Sequence, residues 1–432
     1  MRIRNHEALA VTPARSAALA IAESALAAID TGAAIRRAVS LDGDRLRVGD
    51  EKFVLADDGR LRLVAVGKCA TTAAASLLEV AGERLGDGIV LDVAAPAGVR
   101  LPPRLAVHSG THPLPSAANV ASTRSIVQFL EDGRPGDIVL FVVSGGASTL
   151  LCLPPGAGSC EAERAVVEAL TREGATIAEI NTVRKHCSLA RGGRLSAVAR
   201  PALVLALLFV DVPGGSLDLV ASGPTVLDPS TVADAQAVLG RYGLATDGAP
   251  APLRLVETPK DPALFAASRN LVVVSNRTAL DAMATAAAHA HRAAAVRTAT
   301  LAGEAREVAA GIVAELRAAK RGAALLYGGE TTDTVRGPGR GGRNLELALA
   351  ALPAVADDEL VLTLASDGRD NGYLAGAIAD AVTAREAQRR DVDPATFLRA
   401  NDSYGFFECV PHALDTGHTG ANVADLVVAL KG

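Results

Sequence analysis

Tryptophan is absent from this chain, aromatic residues make up 3% of it, and only two methionines occur among its 432 residues. Proteins that bind nucleic acid stack bases on aromatic side chains set in a basic surface. With few aromatics, a net charge of −5 and no basic patch, that class is excluded and no nucleic-acid partner is expected. The five cysteines, Cys69, Cys152, Cys160, Cys187 and Cys409, form no CxxC pair and are odd in number. That spacing fits neither a disulfide framework nor a zinc site; it fits reduced thiols in a cytoplasmic protein. There is no HExxH, and His289 and His291 stand two apart on a predicted helix, on different faces. The longest apolar run, Ala202 to Val210, is too short to span a bilayer, and the N-terminal MRIRNHEALAVTP lacks the apolar segment of a signal peptide. No membrane partner and a cytoplasmic location are expected.

What is present is an ordinary apolar fraction, 49%, in a length that suits two or three domains. A helix is read from about Arg15 to Arg37, then two short strands, RLRV and KFVL, turning at Gly49-Asp50. Buried strands follow at LRLVAV (61–66), GIVLDV (88–93), DIVLFVV (137–143) and ALVLALLFV (202–210), with amphipathic helices between them. That alternation predicts a parallel sheet covered on both faces. The proline-rich stretch of 249–261 is the best linker, placing an N-terminal α/β domain in 1–255 and a second in 256–432. The second series runs NLVVVSN, the helix from Thr278 to His291, GEAREVAAGIVAELRAAK, the strand AALLY and the last strong strand, LVLTLAS.

Open parallel sheets bind ligands beyond the carboxyl ends of their strands. The residues there are Gly67-Lys68, Ser144-Gly145-Gly146-Ala147-Ser148, Asp211, Gly328-Gly329-Glu330 and Ser366-Asp367-Gly368. SGGAS offers backbone N–H groups and two hydroxyls to an anion, or is a tight turn without ligand. GPGRGGRN (337–344) joins four glycines to Arg340 and Arg343, which suits a polyphosphate but also a mobile surface loop. INTVRKHCSLARGGRL (180–195) carries Asn181, Arg184, Lys185, His186, Arg191 and Arg194, either a carboxylate or phosphate site or a solvated helix face. Asp211, Glu330, Asp367 and Asp370 are candidate acids, for Mg²⁺ or for a substrate hydroxyl; helix capping is the alternative for the last two. His108 and His112 bracket the turn HSGTH and read as structural.

These pieces in this order resemble the glycerate 2-kinase family, whose C-terminal module is called MOFRL, over nearly the whole chain. The resemblance is carried by VAVGKCA, HPLPSAANVAST, VVSGGASTLLCLP, EINTVRKHCSLARGGRL, DVPGGSLDLVASGPTVLDPST, YGGETTDTVRGPGRGGRNLELALA, NDSYGFFE and TGHTGANVADL. It implies two α/β domains, a Rossmann-like parallel sheet and a smaller MOFRL-type domain, with the active site in the cleft between them. It implies ATP-dependent phosphorylation of D-glycerate to 2-phosphoglycerate; a monomer or homodimer is expected. Lys68 corresponds to the family's catalytic lysine and Arg343 to its catalytic arginine. On this reading the ATP phosphates lie against Ser144, Gly145, Gly146, Ala147 and Ser148, with Gly329, Glu330, Arg340 and Asn344 completing the nucleotide site. Mg²⁺ falls to Asp211 or Glu330, the substrate carboxylate to Asn181, Arg184 and Lys185, and the hydroxyl proton to Asp367.

The chain departs from the family pattern at Ala147, where SGGGS is usual, at Leu345, where GGRNQE is usual, and at Tyr373-Leu374, where a second Asp is usual. Two rival classes remain. A nicotinamide-dependent hydroxypyruvate reductase, a label sometimes attached to the family, is opposed by the lack of GxGxxG and of a ribose-binding acid about 20 residues on. A phosphosugar-binding module, suggested by GDIVLFVVSGGAST, is opposed by the long MOFRL-like second half.

Overall fold

Short strands rich in leucine and β-branched residues build the first sheet, and its central ones, such as Leu61–Val66 and Ile138–Val143, are buried along their whole length. The computed structural model describes residues 1–96, 98–156, 158–210, 217–244 and 253–432. The strands are β1 Leu61–Val66, β2 Leu85–Asp92, β3 Leu105–Ser109, β4 Ile138–Val143, β5 Leu203–Phe209 and β6 Ser268–Val274. Their order across the sheet is β3-β2-β1-β4-β5-β6. The pairs β1–β2, β2–β3, β1–β4 and β4–β5 are parallel. The order reverses between β1 and β4, and this is the switch point at which doubly wound sheets open a crevice. The register pairs Leu61 with Ile138 and Val66 with Val143, so the turns leaving β1 and β4 emerge side by side. Between the sheet and its helices lies a core of Val64, Val66, Leu91, Phe141, Val143 and Leu208. The expected pair of short strands forms, Arg45–Val48 with Glu51–Val54, and Val39–Asp42 adds a third.

NLVVVSN, expected to open the second series, instead supplies β6, the edge of the first sheet. The chain accordingly leaves the first compact unit at residue 274 rather than at 256. The described part of the proline-rich stretch lies within that unit and leads into its last strand.

The second unit contains residues 1–33 and 274–432. Its strands are β7 Ala293–Leu301, β8 Ala323–Gly329, β9 Glu359–Ala365, β10 Gly376–Asp380, β11 Ala413–Leu414 and β12 Asp425–Lys431, ordered β7-β8-β12-β9-β10-β11. Only β7–β8 is parallel; β12, the last strand of the chain, inserts between β8 and β9 antiparallel to both. LVLTLAS is therefore not the last strong strand. The N-terminal helix Pro13–Ala28 packs in this unit, against the helix Asn276–His289 and β12. The helix expected over Arg15 to Arg37 is two, Pro13–Ala28 and Thr31–Ala38. Asp30 breaks it by accepting the Ala33 N–H at 2.8 Å, the capping action that ends one helix and starts another. Among the described residues no single helix is long and apolar enough to cross a membrane.

Candidate active site

At the switch point the backbone of the two turns is in direct contact. The Ser144 N–H donates to Val66 O at 2.9 Å and the Lys68 N–H to Gly145 O at 2.9 Å. Gly67, at φ +125, admits this approach, since a Cβ there would lie 2.1 Å from Ser144 Oγ. Ser144 is buried and the Cys69 N–H donates to its hydroxyl at 3.4 Å, so it ties the two turns together. The Ala147 N–H is taken by Ser144 O at 3.1 Å. Of the N–H groups proposed to cradle phosphate, those of Ser144 and Ala147 are thus already engaged; Gly145 and Gly146 keep theirs among the described residues. The Ala147 methyl belongs to the apolar core, which accounts for alanine at a position where the family has glycine. Lys68 stands exposed at the mouth of this turn.

Asn181 and Arg184 reach the same loop from the helix Ile177–His186, which starts at a Thr176–Glu179 capping box. Ser148 Oγ and Ser222 Oγ lie 2.7 Å apart, Ser222 donates to Asn181 Oδ1 at 2.7 Å, and Arg184 Nη1 donates to Ser148 Oγ at 3.5 Å. Ala221 and Ser222 both hold left-handed backbone, φ 53 and 59, a costly conformation for residues with side chains that here fixes the Ser222 hydroxyl. Arg184 has no carboxylate partner among the described residues, and its Nε has none of any kind. Burial, then the Arg191 charge, lowers its pKa from the ordinary guanidinium value. A half-buried cation whose facing carboxylate, Glu163, is itself paired with Arg191 has charge left for an anion. Lys185 goes elsewhere: it is buried and paired with Asp218 at 2.6 Å and Asp228 at 3.2 Å, so its charge is used inside the protein. His186 is likewise buried, its Nδ1 2.8 Å from Thr182 O.

In the other unit, the carboxyl ends of β8 and β9 border a cavity of about 180 Å³ lined by Glu330, Arg343, Ser366, Asp367, Arg369, Asn422 and Asp425. Because β12 is antiparallel, its first residue, Asp425, pairs with both Gly329 and Ala365 and arrives at the same edge. Arg343 binds Glu330 at 2.6 Å and Asp425 at 3.2 Å; Asn344 Nδ2 donates to Asp425 at 2.8 Å. Asp370 accepts the N–H groups of Asn344 at 3.1 Å and Leu345 at 2.7 Å, at the positive end of the helix Arg343–Ala351. It satisfies the first N–H groups of that helix from outside it, without being its N-cap residue. Gly342 is needed beside it, since a Cβ would lie 2.4 Å from Asp370 Cγ. Burial lowers the Arg343 pKa, but Asp425 and Glu330 outweigh it and the net shift is upward.

Other candidates fall into place around this cavity. Asp367 is half-buried and accepts the Arg369 N–H at 2.9 Å. Arg340 does not line the cavity: it pairs with Glu408 at 2.8 Å and lies 4.7 Å over the Tyr404 ring. Gly329 serves packing, because a Cβ there would lie 2.2 Å from the Leu301 backbone. Leu345 is buried in the apolar core, so the departure there is one of packing. Tyr373 is exposed, edge-on to Tyr404 at 5.4 Å. Asp211 lies outside the described residues, and among the described residues no group of three or more His, Cys, Asp or Glu could hold a metal ion.

Burial pushes Asp425 up to about 6, beyond what Arg343 and Asn344 pull back. The folded state therefore holds this proton more tightly than the unfolded chain. The resulting stabilisation is present below the ordinary carboxylate value and is lost as pH rises through about 6. Asp425→Asn lacks this term, so relative to the parent it should gain up to about 3 kcal/mol between roughly pH 4 and pH 7. Urea unfolding of both proteins at the two pH values measures this; a difference that does not change with pH would contradict it.

The fold and the cation-bearing strand ends define a two-unit α/β phosphotransferase. Residues 17–257 match the family described as Domain of unknown function (DUF4147), and residues 323–425 match the MOFRL family. The chain is 37% identical to the D-glycerate 2-kinase of Thermotoga maritima, over 86% of this chain and 90% of that one. It is 36% identical to an Agrobacterium vitis protein named as a hydroxypyruvate reductase, over 87% of this chain and 88% of that one. The crystal structure of glycerate kinase (EC 2.7.1.31) from Thermotoga maritima superposes with a TM-score of 0.86 at 32% identity, covering 96% of this chain and 99% of that one. The chain belongs to the glycerate kinase family.

Proposed function

We propose that this protein transfers the γ-phosphoryl group of ATP to the 2-hydroxyl of D-glycerate. The observation that carries the reading is Arg184, in no ion pair among the described residues, at the same switch point of the first sheet as exposed Lys68. Phosphoryl transfer asks for positioning and charge neutralisation, and these residues supply both. Arg184, with Ser148, Ser222 and Asn181, binds the substrate carboxylate. Lys68 and the N–H groups of Gly145 and Gly146 bind the transferred phosphoryl group, and Arg343, held by Asp425 and Glu330, binds the nucleotide phosphates. Mg²⁺ in such sites keeps mostly phosphate and water ligands and needs only one or two carboxylates. Glu330, a hard oxygen donor on the cavity wall with a side chain 52% exposed, fits an ion brought by the nucleotide, with Asp211 as the second ligand expected from the sequence. That ion would neutralise charge on the phosphate oxygens.

The reductase alternative loses support at β2. An acid does stand there, Asp92, at the strand end where a dinucleotide-binding sheet carries its ribose ligand. Its carboxylate is buried and accepts from Thr71 N at 2.9 Å, Thr71 Oγ1 at 2.8 Å and Val93 N at 2.7 Å. ADP release should be stimulated by D-glycerate above all other small hydroxy acids tested. Another acid preferred by orders of magnitude would overturn the substrate. Consumption of NAD(P)H with hydroxypyruvate, without ATP turnover, would overturn the reaction.

A further inference from the structure

His112 reads from the sequence as a structural residue, and the structure places it beside the reacting groups. The loop after β3 carries it to the switch point. A side chain on Gly146 would meet His112 Cδ2 at 3.2 Å and Lys68 Cγ and Cε at 3.3 Å, so ring and ammonium stem converge on the space that this glycine leaves open. The loop is fastened there. Asn119, fully buried, accepts the Thr111 N–H at 2.9 Å and donates to Thr111 O at 3.0 Å and Thr149 O at 3.1 Å. Thr149 Oγ1 donates to Pro113 O at 3.3 Å. The half-buried imidazole itself has no hydrogen bond or ion pair among the described residues. A ring held this firmly and left without a partner has its nitrogens available to a ligand.

We propose that His112 is the catalytic base, taking the proton from the substrate hydroxyl during transfer; this rests on the kinase reading above. The hydroxyl oxygen forms its bond to the γ-phosphorus with a lone pair. The bond from that phosphorus to the β,γ-bridging oxygen breaks, and its electron pair leaves with ADP. The hydroxyl proton passes to the unprotonated imidazole nitrogen and then to water. Burial, followed by the charges of Lys68 and Arg184, lowers the His112 pKa below the ordinary 6.5, so the ring is neutral and able to accept at neutral pH. Those two cations are the charged groups that face it, one from the turn after β1 and one from the helix Ile177–His186. Asp367, the base expected from the sequence, lines the Arg343 cavity.

The test measures kcat with ATP and D-glycerate across acidic to neutral pH for the parent, His112→Ala and His112→Gln, with a thermal melt of each. Both variants should melt as the parent does and lose about 100-fold in kcat at neutral pH. The fall in kcat below the ordinary imidazole value should be reduced or absent in both variants. Asp425 is present in all three proteins, so any acid dependence it causes is common to them and cancels in the comparison. A kcat within about threefold of the parent, or a pH profile that superimposes on the parent's after scaling, would overturn the proposal. Absence of glycerate-dependent ADP release from the parent would instead overturn the kinase reading.

Discussion

Lys68→Ala should lower kcat with ATP and D-glycerate by at least about 100-fold, the scale of losing one electrostatic contact of about 3 kcal/mol to the transferred group. The lysine is exposed at the end of a fully buried strand and fills no core, so the thermal melt should be unchanged. Lys68→Arg should not restore activity. A planar fork cannot take the place of a compact ammonium whose stem runs past the Cα of Gly146. Arg343→Ala should show a loss of similar size, and the double variant should fall short of the product of the two if the phosphates they bind belong to one ATP. Steady-state kinetics with melts of each protein measures all four. A near-normal kcat in Lys68→Ala would remove the lysine from the mechanism.

Arg15→Ala should be the most destabilising single change in the second unit, costing about 3 to 5 kcal/mol. The guanidinium is fully buried and grips Asp380 bidentately, Nε at 2.8 Å and Nη2 at 2.7 Å, with Thr383 Oγ1 at 2.8 Å from Nη2. Burial alone would raise the Asp380 pKa, but Arg15 and Thr383 outweigh it and hold the carboxylate below its ordinary range. Removing the arginine leaves that charge buried with only neutral donors among the described residues, Thr383 and the Val382 and Thr383 N–H groups at 3.1 and 2.9 Å. Asp380→Asn added to Arg15→Met should restore at least about half the loss, because no unpaired charge then remains. Urea unfolding of the three proteins is the measurement. An Arg15→Ala protein within about 1 kcal/mol of the parent would show that the pair contributes little.

The same pair shows where sequence reasoning stops. Arg15 and Asp380 are 365 residues apart, and nothing local says that the first helix belongs with the last strands. Strands were legible where they are continuous apolar runs, as at Ile138–Val143, or nearly so, as at Leu61–Val66 with its one Arg62, because such runs bury both faces of a parallel sheet. Lys68 and the SGGAS turn were legible for a related reason: a search of strand carboxyl ends finds groups at a switch point. That search misses Asp425, which reaches the same edge from the amino end of an antiparallel strand. It also misses His112, which follows β3, because that strand is mostly exposed and has no continuous apolar run to mark it. Within one basic helix, composition could not separate Arg184, in no ion pair among the described residues, from its neighbour Lys185, paired with two aspartates. What the residue types did show was that a lysine following a buried strand has no packing reason to be there, whereas Arg343 is held by Glu330 and Asp425.

Phosphorus NMR of the product formed from ATP and D-glycerate tests the central claim most directly. The account predicts stoichiometric ADP and a phosphomonoester on the 2-hydroxyl, absent when Lys68→Ala replaces the parent. A 3-phosphate, or ATP hydrolysed to inorganic phosphate with glycerate unchanged, would contradict it.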